Sequence, residues 1–508
     1  MRQNPSRRQY LTTAGAGLVG GLAGCLDLGA GGGDGPGDSL PAYYDERLPE
    51  LLEYYDVPGA TIALVEDGDV TWTAAYGEAD REDEQPMATD TVFRVASITK
   101  SVTAWGVMKL VERGEIELND PVEHHVTRWK LPEAEFNTEQ VTIRRLLTHT
   151  AGLQMELPDD DQLFEPGEEI PLPDEVLAGE GLEAAARFER PPGSGFSYSN
   201  AGFVLLELLI EEVTGREYET YIVEEILEPL GMDDATFTWD EEVESTIATG
   251  YYFDGERSPV FIDPIKAPGG LYATVEDIAR FVAASTEGAG GEPPGRGVLE
   301  PETLAEIHAP EVETTGLYGQ VSDSYGLGNF VETLPGGHRA VWHGGQHTGW
   351  LSHYHCVPET GDGIVVLTNS ERAQRLVVDV VDAWAEAREL SPVAMSQTYS
   401  GMATGVKAGT GVFGLAAAGL TLRLGAELRS GDREFNPIVR RDTGWRVGLG
   451  AIGFLVAGMW WILGSEILPG LLPVLSNWLE VALTAFVAIV VLTVVFPRSK
   501  EENPRSKN

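Results

Sequence analysis

Two long apolar runs, "VGLGAIGFLVAGMWWILG" from Val447 and "LEVALTAFVAIVVLTVVF" from Leu479, limit what this chain can fold into more than any other feature. Each comes close to the roughly 20 apolar residues that a helix needs to cross a bilayer. A third stretch, "ATGVKAGTGVFGLAAAGLTLRL" from Ala403, is weaker, because it carries Lys407 and many small residues. Charge placement decides whether it counts. With two spans, the loop holding Arg423, Arg429, Arg433, Arg440, Arg441 and Arg446 would lie outside, together with the tail that holds Arg498 and Lys500. With three, both fall on the cytoplasmic side, and "GSEILPGLLPVLSN", which has no Lys or Arg, falls outside, as the positive-inside rule prefers. Three transmembrane helices within residues 403–497 and a basic cytoplasmic tail at 498–508 are expected. Anchoring is their simplest role, and signal transfer is the alternative.

The chain is acidic, above all upstream of about residue 395: 80 Asp and Glu against 35 Lys and Arg give the whole chain a net charge of -45. That balance argues against a nucleic-acid partner, whose phosphates need cations. The acids are spread through helices and loops and Lys is scarce beside Arg, which fits the surface of a halophile better than a docking site for one cationic partner. At about 1 M salt the Debye length is roughly 3 Å, so self-repulsion is largely screened.

The first residues, "SRRQYLTTAGAGLVGGLAGC", pair Arg7 and Arg8 ahead of a weakly apolar Gly/Ala stretch, in the manner of a twin-arginine export signal. "LAGC" has the form of a lipobox, so residues 1–24 are expected to be removed and Cys25 to carry lipid. Residues 25–39 form a Gly-rich tether. The other cysteine is Cys356, so with Cys25 lipidated no internal disulfide is available. The whole points to a cell-membrane protein with its main domain on the extracellular face.

That domain, residues 40–395, starts with an amphipathic helix ended by Pro58 and Gly59. Two strands then meet at a turn around Asp67, Gly68 and Asp69. A helix opened by Ser97 follows, with Ile98, Val102, Trp105, Met108 and Val111 on one apolar face. Short strands within "AVWHGGQHTGWLSHYHCVPETGDGIVVLTN" and an amphipathic helix "ERAQRLVVDVVDAWAEAREL" close the domain. Strands at both ends with helices between predict one α/β sandwich, its sheet assembled from distant parts of the chain.

Lys100 is the residue that folding does not explain. A helix capped by Ser97 favours Glu or Gln three residues on, and a cation there opposes the helix dipole by about 0.3 to 1 kcal/mol. Chemistry does explain it. Residues three apart share a helix face, so the two side chains can meet. Desolvation and the positive helix end both lower an amine's pKa and make it a base for a serine hydroxyl. "PPGSGFSYSNAGFVLLELLIEEVTG" adds Tyr198, Ser199 and Asn200 in a Gly-rich loop before an apolar helix, where a phenol and an amide can share one cleft. "WHGG" places His343, Gly344 and Gly345 on a strand where glycines let a substrate backbone approach.

In order, "SITK", "YSN" and "HGG" resemble the serine β-lactamase and penicillin-binding-protein superfamily, in particular its class C-like branch of esterases and peptidases. "LLTHTAGL" and "VPETGDGIVVLTN" are similar to that branch too, and the resemblance covers roughly residues 40–390. It implies a β-lactamase/transpeptidase-like sandwich, an antiparallel sheet flanked by helices plus a helical region. The implied activity is acylation of a serine by an ester or amide, followed by hydrolysis. By the same resemblance Ser97 is the nucleophile, and Lys100 and Tyr198 share base and proton-relay work. Asn200 orients substrate and Lys100, His343 serves the leaving-group or carboxylate side, and the backbone N–H groups of Ser97 and Gln346 form the oxyanion hole.

"HGG" departs from the Lys-Thr-Gly of class C β-lactamases, and a neutral imidazole holds a carboxylate less firmly than an ammonium. Esters, D-amino-acid peptides and β-lactams all fit the chemistry, and a penicillin-binding sensor with little turnover is the rival reading. His149 reads as a hydrogen-bonder that fixes its loop. His343, His347, His353, His355 and Cys356 form a possible metal set. No metalloprotease-type motif accompanies them, so no cofactor is expected and the partners are a small-molecule or peptide substrate and the membrane.

Overall fold

The computed structural model describes residues 39–155, 164–180, 185–435 and 473–496, with isolated residues between 448 and 460. The expected signal, Cys25, nearly all of the tether, most of the span from Val447 and the basic tail lie outside these. The chain divides into a unit Pro36–Thr398 and a second unit that includes Tyr399–Asn508.

The first unit is built on a nine-stranded sheet. Its strands are β1 (Gly59–Glu66), β2 (Asp69–Asp80), β3 (Gln85–Pro86), β4 (Val312–Glu313), β5 (Ser324–Tyr325), β6 (Phe330–Thr333), β7 (Arg339–His347), β8 (Trp350–Val357) and β9 (Asp362–Thr368). They run in the order β3-β2-β1-β9-β8-β7-β6-β5-β4, every pair antiparallel. β1 joins β9 across the length of the domain, with Ile62 opposite Val366. Both strands read as near-continuous apolar runs because both faces of the sheet are covered.

One face carries α1 (Leu40–Tyr55) and α5 (Gln374–Ala387), joined where the Tyr44 hydroxyl donates to the Val380 carbonyl at 2.8 Å. The other carries α2 (Thr99–Glu112), against which α3 (Asn200–Thr214) packs, and α4 (Val275–Ala284). Alternation along β8 separates the faces: His355 meets Trp384 of α5, whereas Cys356 packs at Val282 of α4 and Tyr354 bonds Ser101 of α2.

α2 is more deeply placed than one apolar stripe predicts. Ser101, Thr103 and Lys100 are buried along with Val102, Trp105 and Met108. A buried polar group must be hydrogen-bonded. Ser101 Oγ reaches the Gly328 carbonyl at 2.8 Å, and Thr103 Oγ1 the Ala267 carbonyl at 2.9 Å.

α6 (Ala394–Arg429), which belongs to the second unit from Tyr399 on, contains the stretch expected from Ala403, and α7 (Pro473–Val495) contains nearly all of the run from Leu479. Among the described residues these two helices are long and apolar enough to cross a membrane. Ala417 and Leu424 of α6 pack with Ile489 of α7. Arg433 donates to the Thr493 and Phe496 carbonyls, placing a cation at the negative end of α7.

Candidate functional site

The chain approaches Ser97 through a short strand, Phe93–Arg94, paired with Tyr272–Ala273. Val95 N–H then donates to the Leu271 carbonyl at 3.1 Å, and the Val95 carbonyl accepts from Ser352 Oγ of β8 at 2.7 Å. The next residue, Ala96, has φ of 49°, a left-handed conformation that costs an L-residue on the order of 1 kcal/mol or more. Ser97 sits in the single 3-10 turn Ala96–Ile98, ahead of α2 rather than capping it. The helix begins at Thr99, and no side chain caps it. The Ser97 hydroxyl is therefore not committed to the helix end.

Lys100 is fully buried. Its Nζ lies 3.1 Å from Ser97 Oγ and 2.6 Å from the Pro268 carbonyl. It also stands 4.9 Å from the ring centre of Tyr198 and 5.5 Å from that of Phe203. Among the described residues no carboxylate pairs with it, and burial holds its pKa well below the usual lysine range. A neutral amine keeps two N–H donors and a lone pair. With one N–H on Pro268, the lone pair is available to the serine proton.

Tyr198 hydrogen-bonds Ser97, and its phenol is held protonated, first by burial and then by the neighbouring Tyr318. The loop that carries it is pinned from beneath. Gln154 Nε2 donates to the Tyr198 carbonyl at 2.7 Å, and Ser199 N–H donates to His149 Nδ1 at 3.0 Å. The His149 ring lies 4.2 Å from that of Tyr198, and its own carbonyl accepts from Ser197 N–H at 2.8 Å. Ser199 caps α3, its Oγ accepting from Gly202 N–H at 3.1 Å. Asn200 is thereby the first residue of α3, part-exposed and two residues beyond Tyr198.

His343 lies on the same side of the sheet, with its ring 6.2 Å from Tyr198. Both of its nitrogens are engaged: Nδ1 donates to the Gly344 carbonyl at 2.6 Å, and Nε2 accepts from the Tyr325 hydroxyl at 3.2 Å. Burial first, and the proximity of Lys100 second, push it down to about 3, so it is neutral. This is an internal brace, whereas the expected place was at the leaving group or a carboxylate. The glycines also differ from expectation. A Cβ on Gly345 would come 2.2 Å from the Val95 carbonyl and 2.3 Å from Ser352 Oγ, so its missing side chain makes room for the Ser97 turn. A Cβ on Gly344 would meet nothing closer than 3.5 Å. β6 pairs with β7 only as far as Trp342, so Gln346 is exposed on a stretch with no strand beside it on that side among the described residues.

The five metal-type residues are not brought together. His343 and Gly345 face α2, while His353 and His355 occupy the opposite face with Trp342. His347 pairs with Asp263 at 3.0 Å. Beyond the motifs, the site uses the Pro268 carbonyl, Ser352, Gln154, Tyr325 and Tyr318, whose ring stacks on Tyr198 at 5.2 Å. No local pattern marks these, because each arrives by a long-range contact.

A model of the Beta-lactamase family matches residues 45–388. Esterase EstB from Burkholderia gladioli is 32% identical over 307 residues, covering 53% of this chain and 74% of the esterase. Protein flp from Staphylococcus aureus (strain MW2) is 30% identical over 220 residues, 43% of each protein, so this chain spans less than half the length of that relative. Among solved structures, the octameric penicillin-binding protein homologue from Pyrococcus abyssi is 30% identical with a TM-score of 0.56, over 67% of this chain and 77% of that one. The D-amino acid amidase from Ochrobactrum anthropi SV3 is 26% identical with a TM-score of 0.58, over 69% of this chain and 98% of the amidase. With a family match across most of the chain, and with Ser97, Lys100 and Tyr198 brought together at one site, this protein belongs to the Beta-lactamase family.

Proposed function

We propose that the domain is a serine hydrolase that forms an acyl-enzyme at Ser97 from an ester or amide and passes the acyl group to water. The observation that carries this is the buried, uncompensated Lys100 amine 3.1 Å from Ser97 Oγ. A lysine in that setting is a cost to folding unless it serves as a base. Lys100 takes the serine proton as Oγ attacks the carbonyl carbon. Tyr198, protonated and bonded to Ser97, hands its proton to the leaving group and is reprotonated by the Lys100 ammonium, whose charge is eased meanwhile by the Tyr198 ring face. Asn200 orients substrate from the start of α3. The N–H groups of Ser97 and Gln346 take the developing oxyanion. His343 holds the end of β7 in place through the Gly344 carbonyl and Tyr325.

His343 is neutral and burial holds the Lys100 pKa well below the usual lysine range, so neither is a firmly charged partner for a substrate carboxylate. Tyr318 and the 87% exposed Leu317 beside it give the rim an apolar character. Both features favour an uncharged ester or amide over a carboxylate-bearing β-lactam. The relatives are consistent with this, being named as an esterase and a D-amino acid amidase. The domain acts from the outer face of a membrane, held there by α6, α7 and a third span, with a lipid at Cys25.

A chromogenic ester, a D-amino-acid anilide and a chromogenic cephalosporin, assayed in high salt, test the reading. Ester or anilide turnover well above that of the cephalosporin is expected, with Ser97→Ala lowering kcat by about 1,000-fold or more. Stoichiometric labelling with no turnover on any of the three would favour the sensor reading.

A further inference from the structure

α3 is apolar along its buried length except at Glu207, which is 2% exposed. Its Oε2 accepts from two successive backbone amides, Lys266 N–H at 2.9 Å and Ala267 N–H at 2.9 Å. The Lys266 ammonium does not answer this carboxylate but pairs with Glu219. Burying a carboxylate is expensive, and two neutral amides compensate it only in part.

What the carboxylate holds is a short segment that faces α2. The Ala267 carbonyl accepts from Thr103 Oγ1 at 2.9 Å, and the next carbonyl, Pro268, accepts from Lys100 Nζ at 2.6 Å. Proline has no N–H of its own and a fixed φ, so the Pro268 carbonyl is held from one side by the anchored Ala267 amide and from the other by the turn that follows it. Gly269 and Gly270 turn back onto the Lys266 carbonyl at 3.1 and 2.8 Å and close the segment.

We infer that Glu207 is a positioning residue for Lys100: by clamping the Lys266 and Ala267 amides it fixes the Pro268 carbonyl that turns the lysine lone pair toward Ser97. The inference rests on the serine-hydrolase reading of Ser97 and Lys100. Glu207 touches neither substrate nor reacting atoms and acts through the carbonyl.

Burial pushes the Glu207 carboxyl up to about 7, opposed by the two amide bonds and by Lys266, with Glu211 adding to the rise. Tyr218, which bonds Thr103, is the other titratable group that feels Glu207. A protonated carboxyl accepts more weakly than a carboxylate. The clamp is therefore at full strength above about pH 7 and loosens below it. Acylation then carries an acidic limb that belongs to Glu207 in addition to that of Lys100.

The test compares the full-length wild type with Glu207→Gln and Glu207→Ala. It measures kcat and KM for a chromogenic ester from acid to alkaline pH, normalised to active sites titrated with an acylating probe. Glu207→Ala is expected to lower kcat per titrated site by about 100-fold with KM little changed, as for a misplaced catalytic group. Glu207→Gln keeps an oxygen acceptor but is neutral at every pH, so it is expected to lower kcat at pH 8 by less than Glu207→Ala does and to lose the part of the acidic limb near pH 7 that belongs to Glu207. A residue that only supports the fold would reduce the number of titrated sites and leave both readouts unmoved. The inference is overturned if Glu207→Gln superimposes on the wild-type pH profile, or if folded Glu207→Ala keeps its kcat per site. Should Ser97→Ala itself still turn over, the serine reading fails first, and the two failures are distinguishable.

Discussion

At the scale of single residues, the proposed chemistry and its cost both fall on Lys100. It pairs with no carboxylate among the described residues, and its amine lies over the rings of Tyr198 and Phe203. Its folded pKa is depressed by burial, while the unfolded chain titrates near the ordinary lysine value of about 10.4. Between those two values the unfolded state binds a proton that the native state does not, so stability rises with pH across that window. Lys100→Met removes the ionisable group and conserves volume. It is expected to remove this slope, to leave the melting temperature at neutral pH equal or higher, and to lower acylation by about 1,000-fold or more, as seen when one member of a nucleophile-base unit is lost. Melting curves at several pH values, with the rate of probe labelling, check all three. Tyr198 plays the complementary part, since a phenol kept protonated by burial suits a donor better than a base.

At the scale of elements, the site depends on β7 and β8 holding the Ser97 turn in a conformation its own sequence disfavours. Gly345 lies beneath the Val95 carbonyl, and Ser352 reaches that carbonyl from the next strand. Gly345→Ala is expected to destabilise the domain by about 1 to 3 kcal/mol and to abolish acylation, because the added methyl overlaps backbone. Gly344→Ala, one residue earlier and facing the other way, is expected to keep most of its labelling rate. Denaturant midpoints and probe labelling of the two variants separate them. The same pair shows what sequence carries. "SITK", "YSN" and "HGG" are local spacings, so Ser97, Lys100 and Tyr198 are legible without coordinates, as is the pairing of strands from both ends of the domain. The partner of Gly345 is not, because glycine in a strand signals a close approach without saying what approaches. His343 was legible as a residue of the site but not as a brace, since its bonds to Tyr325 and Gly344 depend on the register of β7 and the path of β5. Pro268 and Glu207 were silent for the same reason: their contacts with the site span 168 and 60 residues of chain.

At the scale of the whole molecule, an acidic unit with its own core, Pro36–Thr398, is accompanied, among the described residues, by two long apolar helices. A net charge of -45 repels itself in dilute buffer, where the Debye length is about 10 Å at 0.1 M salt, and far less at roughly 3 Å in 1 M. The melting temperature is therefore expected to rise steeply between about 0.1 and 1 M KCl, and the full chain to sediment with membranes while residues 40–398, which lack both Cys25 and the apolar helices, do not. A flat salt response would remove the case for a salty habitat, and a soluble full-length chain would remove the case for anchoring. The central claim, that Ser97 is acylated with Lys100 as its base, is tested most directly by peptide mass mapping after reaction with an acylating ester probe in high salt. One adduct per chain, on the peptide that contains Ser97 and absent from Ser97→Ala and Lys100→Met, is the predicted result. An adduct elsewhere, or an unchanged adduct yield in either variant, would contradict it.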